Sequence, residues 1–154
     1  YKMNPPLGSA DDLHAIIKGL QDGTIDAIAS DHAPHQSWEK DVEFDSAPFG
    51  IVGLETSVSV GLHYLVHQKI LTPLQWVDKM SCSPARILNL PGGTLKPGNV
   101  ADITIIDPQF EYTVKPELFL SKSRNTPFGG KTLKGKAVCT LVDGRFIVKD
   151  HKLV

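Results

Sequence analysis

Cysteine is scarce: there are two in 154 residues, Cys82 and Cys139, and neither has a second cysteine or a histidine at metal-ligand spacing. A disulfide scaffold is excluded, and a buried or incidental free thiol in a reducing compartment is the expectation. Charge of one sign is also missing, with 16 Lys+Arg against 17 Asp+Glu and no like-charge block. That balance gives no electrostatic reason to expect a nucleic acid or an anionic membrane as partner. No apolar run approaches the roughly 20 residues that span a bilayer, and no signal-peptide pattern is present, so the expected compartment is the cytoplasm. Internal repeats and low-complexity segments are absent too. What remains, at 41% hydrophobic residues, suffices for one core of ordinary size.

The opening is unusual. Residue 1 is Tyr, and Asn4-Pro5-Pro6-Leu7 arrives with no strand or helix before it; the sequence reads as shortened at its N-terminus. Ser9 and Asp12 form a capping-box pattern, after which Leu13, Ile16, Ile17 and Leu20 recur at helical spacing up to Gly23. This predicts a helix over 10–22. Residues 24–30, short and rich in small and β-branched side chains, read as a buried strand ending at Asp31. Helix, tight turn, apolar strand and polar loop together make one step of an α/β barrel or doubly wound sheet, where chemistry collects at the strand's C-terminal end.

A long loop, 31–53, carries Trp38, Phe44 and Phe49. Loops of that length are functional or disordered, and the aromatics favour function. A second helix is predicted over about 54–69, with Leu54, Val58, Leu62 and Leu65 on one stripe. A third begins at Thr72-Pro73 with Gln75 completing a capping box, and a fourth, short helix begins in the same way at Ser83-Pro84 and ends at Pro91-Gly92-Gly93. Thereafter Thr94-Leu95 and residues 101–106, 138–142 and 145–148 read as strands, with Asp143-Gly144 as a hairpin turn.

Asp31-His32-Ala33-Pro34-His35 places three metal-binding or proton-moving groups within five residues at the strand end. A carboxylate there could ligate a divalent metal and take a proton from water attacking a carbonyl, which makes Asp31 the candidate base. A strand-end Asp capping a turn beside two surface histidines is an equal alternative on spacing alone. The pattern also falls short of the three or more protein ligands of a catalytic zinc. His35, stiffened by Pro34, could meet an anionic ligand or be an ordinary loop histidine. Asn4 could present its amide to a substrate or simply cap a turn before Pro5. Residues 47–53 combine an apolar wall with Gly50 and Gly53, suiting close approach of backbone to a flat ring, or a plain loop-to-helix turn.

Taken in order, Asn4-Pro5-Pro6-Leu7, the "QDGTID" of 21–26, the "DHAPH" of 31–35, the "FGIVGLET" of 49–56 and Gly93-Thr94-Leu95-Lys96-Pro97-Gly98 leading to Ala101-Asp102-Ile103 resemble the bacterial-type dihydroorotases of the amidohydrolase superfamily. The resemblance implies an α/β fold: the C-terminal part of a (β/α)8 barrel over residues 1–92, and over 93–154 part of a small β-rich appended domain. It implies one or two zinc ions, with Asp31 as metal ligand and catalytic group, and Asn4, His35, Phe49 and Gly50 as substrate-binding positions. His32 is assigned a structural role. The implied substrates are dihydroorotate and N-carbamoyl-aspartate. The partner expectation is self-association or pairing with aspartate transcarbamoylase. Two positions depart from the pattern, Gly8 where Arg is usual and Ser83 where Asn often precedes Pro-Ala. The rival readings are another cyclic amidohydrolase, of allantoinase or hydantoinase type, and a catalytically silent partner of aspartate transcarbamoylase.

Overall fold

Ser9 starts helix α1 (Ala10–Asp22) through a reciprocal pair of bonds: its Oγ accepts from the Asp12 N–H at 3.2 Å, and Asp12 Oδ2 accepts from the Ser9 N–H at 2.7 Å. The Ser9 N–H, and after it the Ser9 hydroxyl at 2.8 Å, donate to the Asp12 carboxylate and hold it below its ordinary pKa. The helix stops at Gly23, which takes the left-handed conformation. In the computed structural model, which describes residues 1–154, α1 therefore has the bounds its caps dictate. Its apolar stripe is only partly used: Leu20 is buried and Ile17 half-buried, while Leu13 and Ile16 are exposed.

The segment 24–30 bends at Thr24 and Ile25 and joins no ladder, so the expected strand is not formed. A strand needs a neighbour whose N–H and C=O groups face its own. Here Ile25 donates back to the Gly19 carbonyl and Ile28 donates to that of Lys79. Pairing begins only at His32, which forms an isolated parallel bridge with Ile51. The long loop is not irregular throughout, since Gln36 and Glu39 cap a one-turn helix, α2 (Ser37–Lys40).

Helix α3 (Ser57–Gly61) passes into a π turn, Leu62–Val66. It begins after Leu54, which is exposed rather than on the buried stripe. The next helix opens as its capping box requires, with Thr72 and Gln75 bonding reciprocally around α4 (Pro73–Val77). It does not restart at Ser83. A π turn, Asp78–Cys82, carries it directly into α5 (Ser83–Ile87). Pro84 has no N–H to give and crowds the preceding turn, and the wider π geometry, with the Ser83 N–H donating to the Asp78 carbonyl, accommodates it. Ser83 thus sits inside a helix and bonds Asp78 Oδ2 through its hydroxyl at 3.1 Å. The helix ends before Pro91: Asn89 turns left-handed (φ 51°), and the Leu90 N–H closes onto the Ala85 carbonyl at 2.8 Å.

Thr94-Leu95 forms no strand. The sheet consists of β1 (Ile103–Thr113), β2 (Thr132–Val142), β3 (Arg145–Lys149) and β4 (Lys152–Leu153), antiparallel in that order. β1 is longer than predicted because Pro108 and its flanking polar residues interrupt the apolar pattern without ending the pairing, and β2 begins earlier, at Thr132, opposite the added part of β1. The register runs from Ile103 opposite Leu141 to Thr113 opposite Thr132, shifting between Asp107 and Glu111 where Pro108 cannot donate. The freed Pro108 carbonyl meets His67 Nε2 at 2.8 Å, tying the irregularity to the end of the α3 segment. Asp143 and Gly144 both have positive φ and make the expected hairpin turn.

Leu20, Leu62, Leu71 and Trp76 form the core, joined by half-buried Ile28, Val58, Leu65 and Met80 and by Ile106 from the sheet. Gly135 lets β2 press on this core: a Cβ there would lie 2.4 Å from Leu62 Cδ1, and its φ of 104° suits glycine. Leu133 and Val114 are fully buried beside it. No helix is long and apolar enough to cross a membrane.

Candidate active site

Two loops lie side by side, joined by the parallel bridge of His32 with Ile51 and by the Ala33 N–H donating to the Ile51 carbonyl at 2.9 Å. One carries Asp31 to His35 and the other Phe49 to Gly53. Asp31 is exposed, and its carboxylate makes no hydrogen bond or ion pair. It stands on the rim of a cavity of about 380 Å³ walled by Ile28, Ile51, Val60, Leu65, Met80 and Phe128.

The histidines are engaged. His32 Nδ1 accepts from the Gly53 N–H at 3.2 Å and the Leu54 N–H at 3.4 Å, so its proton belongs on Nε2 and the ring anchors the start of the helix-bearing segment. His35 Nε2 lies 3.0 Å from the Phe49 carbonyl, and Nδ1 lies 3.7 Å from Glu39 Oε2. The ring therefore faces the neighbouring loop and α2. Gly50 (φ 107°) brings the loops together where a Cβ would meet that of Ala33 at 2.4 Å. Its N–H donates to the Lys2 carbonyl at 2.8 Å, which draws the N-terminal segment carrying Asn4 alongside. Asn4 itself is exposed. The Gly50 carbonyl is also occupied, accepting from Asn125 Nδ2 and Lys40 Nζ. Of the backbone N–H and C=O groups of Phe49 and Gly50, the Phe49 N–H alone has no partner.

A third segment, 121–126, locks both loops from behind, and the sequence reading passed over it. Asn125 Nδ2 donates to the Ala33 carbonyl at 3.0 Å and the Gly50 carbonyl at 3.2 Å, while the Val52 N–H donates to the Asn125 carbonyl at 3.1 Å. Ser123, buried, accepts the His35 N–H at 3.1 Å; its hydroxyl lies against both the His35 carbonyl and Asn125 Oδ1, and its single proton serves one of them. Glu55 accepts from the Leu120 and Ser121 N–H groups at 2.9 and 3.0 Å. The available signal was a run of Ser, Arg and Asn before Pro127, residue types that bond backbone locally.

No three His, Cys, Asp or Glu side chains converge anywhere in the chain. A catalytic zinc takes about three protein ligands, and the histidines beside Asp31 are committed to backbone groups, so the donors present do not by themselves fit one. Both cysteines are free and half-buried, remote in sequence from these loops.

Residues 7–147 match the model of the amidohydrolase family. The dihydroorotase of Pelotomaculum thermopropionicum is 58% identical over 150 residues, 97% of this chain and 35% of that protein; the dihydroorotase of Geobacter metallireducens is 55% identical over 148 residues, 96% and 35%. Among solved structures, the L-hydantoinase (dihydropyrimidinase) of Arthrobacter aurescens superposes with a TM-score of 0.93 at 30% identity, over 99% of this chain and 35% of its own. A D-hydantoinase (dihydropyrimidinase) of Thermus sp. gives 0.91 at 28% identity, over 100% and 35%. The chain thus spans about a third of the length of the relatives it matches, and its fold is the corresponding portion of their α/β barrel enzymes with a β-rich appendage. With the family model matched over most of its residues, the chain belongs to the amidohydrolase family.

Proposed function

We propose that this chain carries the proton-handling end of a dihydroorotase, which interconverts dihydroorotate and N-carbamoyl-aspartate. The observation that carries the reading is the contrast at one loop: the Asp31 carboxylate is exposed and unengaged at the mouth of an apolar cavity, while His32 and His35 are held. Identities of 51–58% to dihydroorotases support the choice of substrate. In hydrolysis, the oxygen of a water bonds to the ring amide carbon, the ring C–N bond breaks, and Asp31 moves the water's proton to the departing nitrogen. Of the backbone pair expected to contact the ring, the free Phe49 N–H is the available donor; Asn4 and His35 are assigned to the substrate's polar groups.

Zinc belongs to this reading as the family's cofactor, with Asp31 the one ligand this chain offers. The others would come from the two thirds of the relatives' length that it does not match, so residues 1–154 alone are expected to be inactive. The division into barrel steps over 1–92 and a β-rich domain over 93–154, and a cytoplasmic setting, belong to the same reading.

The similarity to hydantoinase structures favours a second reading, a hydantoinase-type ring opener. The test is to assay the protein made from the reading frame that carries these residues with dihydroorotate and hydantoin in competition. A preference for dihydroorotate of at least ~10²-fold in kcat/KM is expected, because a site built to bond polar substrate groups discriminates strongly against an analogue lacking them. A preference for hydantoin would replace the reading, and turnover of neither would remove it.

A further inference from the structure

We propose that Asn125, a residue outside both substrate-contacting loops, sets the distance between them and is a positioning residue for substrate binding; the kinetic side of this rests on the dihydroorotase reading. Its amide is used at both ends. Nδ2 bridges two carbonyls, Ala33 O on the loop of His35 and Gly50 O on the loop of Phe49, at 3.0 and 3.2 Å. Oδ1 faces the Ser123 hydroxyl and, at 3.5 Å, the His35 N–H. The orientation of the amide is fixed by chemistry, since the carbonyls require a donor and the N–H requires an acceptor. Its own carbonyl takes the Val52 N–H, so four contacts to the Phe49–Gly53 and Asp31–His35 strips converge on one residue. The strips are joined directly by the His32–Ile51 bridge, by the Gly53 N–H on His32 Nδ1 and by the His35 to Phe49 bond, the last of which substrate binding at His35 would have to share. Asn125 holds their separation independently of that bond. A merely structural residue would stabilise one loop, whereas this amide spans two.

The conservative probe is Asn125→Asp, which keeps an acceptor toward His35 and Ser123 and replaces the bridging donor with an oxygen facing two carbonyls. Asn125→Ala removes both ends. In the protein made from the whole reading frame, both variants are expected to raise KM for dihydroorotate by about tenfold or more with kcat changed by less than about threefold, the scale of one buried hydrogen bond left unmade. Loss of kcat at unchanged KM would mean a smaller folded fraction and would overturn the proposal. A second measurement does not depend on the substrate. Amide hydrogen exchange at Ala33, at His35 and at residues 50–52 is expected to speed up by about tenfold in both variants, with α1 and β2 unaffected. Unchanged exchange there, or equal acceleration throughout, would also overturn it. Failure of the wild-type protein to turn over dihydroorotate, with the local exchange effect intact, would instead strike only the functional reading.

Discussion

Through β1 and from β2 to β4 the backbone is held by backbone, strand to strand in an antiparallel ladder. From Asp31 to Gly53 one parallel bridge and a few backbone bonds are supplemented by many side-chain bonds: His32 on two N–H groups, Lys40 on the carbonyls of Pro48 and Gly50, Ser123 and Asn125 on the His35 loop. The difference teaches where sequence is constrained. A ladder tolerates most side chains that keep the burial pattern, so damage to the sheet should come from its few core residues. The loops depend on particular functional groups, so damage there should come from polar residues and should leave the fold standing.

The sharpest break is expected at Leu133, which is fully buried. Leu133→Ala should cost about 3–5 kcal/mol by leaving a cavity, read as a shift in the urea midpoint, and a cost below about 1 kcal/mol would mean that the sheet is not packed as described. On the other side of the comparison, Asp31→Asn should lower dihydroorotate turnover by at least ~10²-fold with no loss of thermal stability, since nothing in the chain bonds that carboxylate. Near-normal turnover would take Asp31 out of the chemistry. His32→Ala should cost about 1 kcal/mol by freeing the Gly53 and Leu54 N–H groups, with faster exchange confined to those two amides; a spread into β2 would blur the boundary between the regions. The smallest effect belongs to the α1 cap. Because Asp12 has a lowered pKa in the folded chain, its contribution is present above the ordinary carboxylate value of about 3.9 and fades as pH falls through the lowered one. Wild type should therefore outlast Asp12→Ala in thermal melts at pH 7, and the gap should close in strong acid.

The same contrast explains which parts could be read from sequence. Local chemistry was legible: the bonds of Ser9 with Asp12 and Thr72 with Gln75 lie within three residues, and Asp143-Gly144 needs only its own backbone preference. The candidate loops were legible by resemblance, and the structure sets Asp31, His35, Phe49 and Gly50 on adjacent strips with the segment of Asn4 beside them. What escaped depended on distant partners. Residues 24–30 had a strand's composition but find no ladder, and Asn125 acts on residues 75 and 92 positions away. The helix break expected at Ser83 failed because a Ser-Pro pair reads as a start wherever it occurs, whereas the preceding π turn makes room for Pro84 inside a helix.

Those π turns have a further consequence. Each is a helix with one residue more than its hydrogen-bond ladder requires, and the surplus acts as a phase adjustment, since one residue corresponds to about 100° of rotation around the axis. The turn at Leu62–Val66 sets the phase in which the chain leaves the helix and brings Leu71 into the core beside Leu62; the one at Asp78–Cys82 sets Ala85 inward after Trp76. A deletion at either place would yield a more regular helix and a worse protein, with its apolar side rotated away from the core. In this chain the residues least dispensable by number, as distinct from kind, therefore lie within helices.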